Sequence, residues 1–430
     1  MAARPVAHSV PEIEGQLGKL WARAAVAREE TAKAQAALIA AQAEAAALAA
    51  AALAAARETS DGGGHHVAAR TSVLNLVVVA GDEDTAAACA ATIAATASRH
   101  ASRSLILSAV NPDGPAGLDA RIEALSMATA DGRAETGAET IHVTAHGETG
   151  AHLASIIVPL LVHDLPVALW WPADPPFGSR RADRLLPIAD RLIVDGSAWS
   201  GDGLEILGQL ATAVEERRVV VADWALLRQS RWREAIASVY DLPDLRAHLG
   251  AVRRICVDYS AASTGTAAFE TNVVRPLYHV AWLASRLGMT VVKQLSREGE
   301  GRRVATLRQK EHDVEVVLQP AASPLQAGST VRVEITSRLR GAELVGIISA
   351  DDYTVDVSIL DDARERVRRR YAVPRLTDVD LLARAVEEGA ADPVAVHSLA
   401  TAARLLGVDL GSHNVGPHKE AERHRSQDDD

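Results

Sequence analysis

Four aspartates fall where apolar runs end: Asp82, Asp174, Asp195 and Asp223. Carboxylates gathered at strand ends can hold a cation or work as acid and base. The same residue at the same place also caps helices and starts turns, which is the simpler use of it. His142 and His146 stand four apart, with His152 and His163 beyond, but no H-E-x-x-H or C-x-x-C accompanies them, so no metal centre is expected. Cys89 and Cys256 sit in apolar surroundings and read as small core residues. Neither a G-x-x-x-x-G-K-[ST] loop nor a G-x-S-x-G elbow occurs. The first apolar run ends in Gly81-Asp82-Glu83-Asp84. A dinucleotide site would place glycines and an open helix N-terminus there. Three carboxylates instead repel a phosphate and cap the helix themselves. No cofactor is expected.

Two basic clusters and a tryptophan pair remain. Arg99-His100-Ala101-Ser102-Arg103 is a compact cationic turn, suited to an anion or to an acidic patch on a partner. Arg364-Glu365-Arg366-Val367-Arg368-Arg369-Arg370 reads by default as a solvated helix face, with steering of a partner as the alternative. Trp170 and Trp171 are adjacent on an expected strand that Pro172 stops, so they must point to opposite faces. Either helices cover both faces, or one ring is an exposed anchor for a partner.

These residues need elements to position them. Residues 73–79, 104–110, 166–171, 191–195 and 219–221 are apolar runs of the kind buried on both faces of a sheet. Helical stretches (83–98, 148–161, 204–214) fall between them, while 118–128 and 140–145 alternate like an antiparallel pair. The alternation argues for a mixed, mostly parallel, Rossmann-like sheet over residues 65–245. From 246 to 410 the texture changes to α+β. Phe269, Val273, Leu277, Val280, Ala284 and Leu287 make the stripe of one helix. Period-two runs follow at Val314–Leu318, Val331–Ile335 and Tyr353–Ile359, the pattern of an antiparallel sheet. Further helical pieces lie near 376–388 and 394–406.

The ends are different. Residues 12–58 are Ala-rich and proline-free, which predicts one long helix. A membrane span at 34–56 is disfavoured by Gln35, Gln42 and Glu44. Ser60-Asp61-Gly62-Gly63-Gly64 reads as a linker, closing a first region of 1–64, and 411–430 as a disordered tail. The chain of 430 residues carries a net charge of -11, which disfavours nucleic acid as a partner. Two cysteines exclude a disulfide framework, and the first residues lack the apolar stretch of a secretory signal, so a reduced cytoplasmic setting is expected.

Several segments, in order, resemble the glucose-6-phosphate dehydrogenase assembly protein (OpcA) family. They are Leu74-Asn75-Leu76-Val77-Val78, Ser102-Arg103 and Asp164-Leu165-Pro166-Val167 leading into Trp170-Trp171-Pro172. Asp190-Arg191-Leu192-Ile193-Val194-Asp195, Asp223-Trp224 and Trp232-Arg233-Glu234 follow, and Ala281-Trp282-Leu283-Ala284-Ser285-Arg286-Leu287-Gly288 ends the series. Ala101 stands where the family turn often has Pro, and Gly137 and Ala138 precede Glu139 where some relatives carry Cys. The resemblance implies a non-catalytic partner that binds glucose-6-phosphate dehydrogenase and promotes its active state, an allosteric activator at the entry to the oxidative pentose phosphate pathway. Interface candidates are Arg99, Arg103, Asp164, Trp170, Trp171, Trp232 and Arg233. The rival reading is a sugar-phosphate or nucleotide sensor, or an enzyme, using the strand-end acids and the Arg99–Arg103 turn. The chain's own oligomeric state is not legible.

Overall fold

The computed structural model describes residues 6–7, 15, 73–97, 99–100, 102–110, 113–128, 135–217, 219–261, 265–351, 353–387 and 391–410. The Ala-rich stretch (Gly15 apart), the glycine linker and the tail lie outside them. The chain forms two compact units: Met1–Trp199 with Val219–Arg228 and Arg375–Asp392, and Ser200–Arg218 with Gln229–Pro374 and Pro393–Asp430.

The first unit is built on an eight-stranded sheet. Its strands are β1 (Val6–Ala7), β2 (Leu74–Ala80), β3 (Ser102–Val110), β4 (Gly117–Ala128), β5 (Glu135–His146), β6 (Val167–Trp171), β7 (Arg191–Val194) and β8 (Val220–Asp223). They lie in the order β1-β4-β5-β3-β2-β6-β7-β8. The run β5-β3-β2-β6-β7-β8 is parallel throughout, while β4 pairs antiparallel with β5 and β1 with β4. Counted from β2, that is the 3-2-1-4-5-6 order of a doubly wound sheet, with its switch point between β2 and β6. All seven β2 residues are buried, as the continuous apolar run requires. The helix Glu83–Thr96 returns the chain to β3, turning Ala86, Cys89 and Ile93 inward. Between β3 and β5 the usual crossover helix is replaced by β4. Stretch 148–161, expected to be one helix, is a short helix Leu153–Ile157 flanked by 3-10 turns. Gly147, at its start, has φ 56, and a Cβ there would meet the backbone of Gly114.

Both faces of β6 are covered. Trp170 packs on Trp224, with centroids 5.1 Å apart, in a core shared with Leu76, Val78, Leu381 and Leu382. The last two come from the helix Asp378–Glu387. Trp171 points the other way and meets Phe177 edge-on at 5.8 Å.

The second unit holds another eight strands. They are β9 (Val252–Ser260), β10 (Thr290–Arg297), β11 (Arg303–Gln309), β12 (His312–Ala321), β13 (Thr330–Leu339), β14 (Ala342–Ala350), β15 (Thr354–Asp361) and β16 (Arg364–Ala372). Their order is β10-β11-β12-β9-β13-β14-β15-β16, and every pair is antiparallel except β9 with β12. The sheet is therefore mixed rather than purely antiparallel, because the chain enters its centre by β9 and leaves for one edge before returning. Alternate residues Val355, Val357 and Ile359 are buried, as period-two patterning predicts. Helix Val274–Arg286 lies on β9, β12 and β13. Phe269, expected on that helix, sits in a separate 3-10 turn, Gly265–Glu270. Arg303, 1% exposed, fastens that turn. It donates to the Phe269 carbonyl (2.8 Å) and the Tyr259 hydroxyl (3.1 Å), and pairs with Asp202 at 3.2 Å. The segment 364–370 is not a helix but the edge strand β16. Arginine favours helices when isolated, yet the tight Asp361–Arg364 turn, with Asp362 and Ala363 at positive φ, folds it back on β15.

Candidate functional site

Three of the four strand-end aspartates accept backbone N–H groups. Asp82 accepts the Thr85 N–H at 2.7 Å and its hydroxyl at 2.9 Å, capping the helix after β2. Those hydrogen bonds hold its carboxyl below the usual range. Asp223 accepts the Ala225 and Gly196 N–H groups at 2.8 and 2.9 Å. Asp195 accepts the Ser197 N–H and pairs with Arg228 at 2.8 Å. Asp174 is exposed after β6. At the switch point, then, the helix after β2 has its first turn held by the Asp82 carboxylate.

One groove of about 570 Å³ lies beside the helix Glu83–Thr96, where the crossover helix is replaced. Its charged lining is Glu83, Asp119 and Glu123 against Arg121 and His142, a balance that disfavours an anion. Arg121 is already 3.5 Å from Glu123. Among the described residues no three His, Cys, Asp or Glu side chains are placed to hold a metal, and no helix is long and apolar enough to cross a membrane. Cys89 and Cys256 are buried free thiols, both pushed up to about 12, chiefly by burial.

The opposite edge of the first sheet, where the parallel strands begin, gathers other side chains. By register Leu74 lies beside Ser102, Asn75 beside Val167, Arg103 beside Glu139 and Ala168 beside Arg191. Asn75, fully buried, clamps the loop before β6. It donates to the Val162 and Leu165 carbonyls (3.0 and 3.2 Å) and accepts the Val162 N–H (2.8 Å). Arg103 donates to Glu139 at 2.8 Å and to the Leu160 carbonyl at 2.9 Å. Asp190 accepts the Val167 N–H at 2.8 Å, and Arg191 donates to the Ala385 carbonyl at 3.0 Å. The loop 161–166 is thereby held at both ends and presents His163, Asp164 and Pro166 to solvent. Asp164 sits at φ 65, a left-handed conformation that Asp tolerates better than most residues. At the same edge Arg99 is exposed, 3.9 Å from Asp380, and His100 is 3.1 Å from Glu387.

Of the seven interface candidates, Arg99 and Asp164 are exposed on this edge. Arg103, Trp170 and Trp171 are buried in the same unit and support it from within. Trp232 and half-buried Arg233 belong to the other unit, where Trp232 packs on His279 with centroids 5.0 Å apart. Sequence reasoning missed the roles of Asn75, Glu139 and Asp190. A lone Asn inside the apolar run 74–80 was the available signal, since a buried amide must find partners. Asn75→Ala is expected to cost roughly 2–4 kcal/mol, from three lost hydrogen bonds and the buried groups they leave unpaired. Urea unfolding reads the loss, and amide exchange should rise in 161–166 specifically.

A family model described as the glucose-6-phosphate dehydrogenase subunit N-terminal domain matches residues 93–212, and one described as the C-terminal domain matches 219–399. Among curated proteins, the chain is similar to two provisionally named OxPP cycle protein OpcA. With that of Synechocystis sp. it is 30% identical over 160 residues, 37% of this chain and 31% of the relative. With that of Nostoc punctiforme it is 30% identical over 181 residues, 41% and 37% respectively. The matched stretch thus spans about a third of those relatives' length. Among solved structures it is similar to the WlbA dehydrogenase of Thermus thermophilus (TM-score 0.40, 11% identity, 79% of this chain and 96% of that one). A super-repressor mutant of Gal80p from Saccharomyces cerevisiae has a TM-score of 0.40 and 9% identity, over 73% and 85% of the chains.

Proposed function

The chain belongs to the OpcA family of glucose-6-phosphate dehydrogenase assembly proteins, and on that premise we propose that it binds glucose-6-phosphate dehydrogenase without catalysing a reaction itself and shifts the enzyme toward its active state. The observation that carries this reading is the edge where the first sheet begins. Four of the segments that resemble the family, at Asn75, Arg103, Asp164 and Asp190, converge there from distant parts of the chain. Their buried members are spent on holding one outward loop. A rigid exposed loop of this kind suits recognition of a macromolecule, because little ordering entropy is left to lose on binding. At the far edge, where a doubly wound fold takes its ligand, the turns after β2, β7 and β8 have N–H groups held by Asp82, Asp195 and Asp223, which speaks against the sugar-phosphate or nucleotide reading. Two free buried cysteines fit a reducing, cytoplasmic compartment.

Such a factor acts only through its different affinities for two states of the enzyme. A coupling of roughly 1–3 kcal/mol would change substrate affinity by about 5- to 150-fold. The test is steady-state kinetics of the cognate dehydrogenase with and without this chain, alongside co-elution. A lower KM for glucose 6-phosphate or a higher kcat is expected. Unchanged constants together with separate elution would overturn the reading. Stabilisation of this chain alone by glucose 6-phosphate or NADP would favour the sensor instead, by about 2.7 kcal/mol at a hundred times the dissociation constant.

A further inference from the structure

We propose that the outer edge of the second sheet, strand β16 with Tyr353 beside it, docks an acidic extended segment of the partner protein by strand addition. The inference rests on the reading that the partner is the dehydrogenase, and adds a second surface to it.

β16 is last in the strand order, so one side pairs with β15 and the other has no strand beside it among the described residues. An edge of this kind carries unpaired backbone N–H and C=O groups that match an incoming strand. The side chains set the charge of that strand. β16 carries five arginines against one glutamate and is exposed along most of its length. Three of the five are engaged at home: Arg366 with Asp244 and Asp361, Arg370 with both Asp356 oxygens, and Arg368 with Glu365 at 4.0 Å. Arg364 and Arg369 have no carboxylate partner among the described residues. The edge therefore keeps an unneutralised positive charge in a chain whose net charge is -11.

Tyr353 is a second, independent feature. It is 72% exposed, and its carbonyl accepts the N–H of Val373 just beyond β16. Tyr353 thus stands opposite Val373 at the Ala372 end of β16, and tyrosine and arginine are among the residue types enriched where binding energy concentrates at protein interfaces. The same arginines exclude a second copy of this edge, because like charges would face each other. They suit a phosphate backbone less well than a peptide, since a nucleic acid leaves the backbone groups of the edge unpaired.

The experiment uses the full chain and the cognate dehydrogenase. Binding is measured at low and at physiological ionic strength for wild type, for Arg364→Gln/Arg368→Gln/Arg369→Gln, and for the same three positions changed to Glu. These substitutions spare the structural pairs of Arg366 and Arg370, and the thermal midpoint of each variant checks its fold. We expect the glutamine variant to bind more weakly, the glutamate variant weaker still by roughly tenfold or more, and the salt dependence to flatten in step. Tyr353→Ser should weaken binding without changing the salt dependence. Amide exchange across 364–372 should slow in the complex, which side-chain contacts alone would not produce. Wild-type affinity in both triple variants, or protection elsewhere only, would overturn this inference and leave the proposed function standing. Equal capture of unrelated duplex DNA, or self-association of the chain lost in the variants, would also overturn it. No binding by wild type would remove both.

Discussion

Arg103→Met is expected to destabilise the first unit by roughly 3–5 kcal/mol, and Glu139→Met by a similar amount. The two side chains are 5% and 1% exposed and lie 2.8 Å apart. Removing either leaves the other as a charge in the interior with its main counter-ion gone, and the arginine change also strands the Leu160 carbonyl. The double variant Arg103→Met/Glu139→Met should lose much less than the two single losses added together, because no lone charge remains. Urea unfolding of all four proteins closes the cycle. Single losses near zero, or strict additivity, would show that the pair does not hold this edge. Since Arg103 also tethers the start of the loop 161–166, the single variants should bind the dehydrogenase more weakly under conditions where they remain folded.

Acid should weaken the second unit through His279. This ring is 1% exposed, packs on Trp232, and has neither nitrogen hydrogen-bonded among the described residues. Burial first, then the charges of Arg275 and Arg233, push it down to about 3 from its ordinary 6.5. In the folded protein it stays neutral, while the unfolded chain takes up a proton below about 6.5. The unfolded state then holds the extra proton, so stability is full above that pH and falls as pH drops toward 3. The slope is roughly 1.4 kcal/mol per pH unit inside the window. His279→Phe keeps a flat ring against Trp232 and removes the titration. Its unfolding free energy should match or exceed wild type at neutral pH, since two unpaired buried nitrogens are gone. Its loss on acidification should be smaller by that slope. An identical acid profile in both proteins would assign the sensitivity to other groups.

Much of the first unit could be read from local pattern. The apolar run around Val77 had to be a strand covered on both faces, and the carboxylates at 82–84 had to cap what followed. Alternation at Val355, Val357 and Ile359 marked a strand with one wet face. Where the structure departed, a distant segment was responsible. The cluster 364–370 looked helical from arginine's own preference and became an edge strand because β15 offered it a ladder. Phe269 left the helical stripe because Arg303, from another strand, fastened its turn elsewhere. The candidate edge was half visible: Asn75, Arg103, Asp164 and Asp190 stood out, but nothing local joined them.

The alternation of apolar runs and helical stretches in the first unit, the aspartate caps and the lack of familiar phosphate or nucleophile motifs belonged to the sequence alone. Tertiary structure decided which of the marked residues meet water. Trp170 and Trp171 are both interior because helix Asp378–Glu387, some two hundred residues on, helps cover one face while Phe177 packs on the other. Arg103 is buried because Glu139 arrives beside it, and Arg364 is exposed because, among the described residues, no strand lies beyond β16. Periodicity reports how a residue sits within its own element, through backbone geometry that neighbours in sequence set. Burial and charge pairing depend on long-range packing, whose free energy is gained only when separate elements close together.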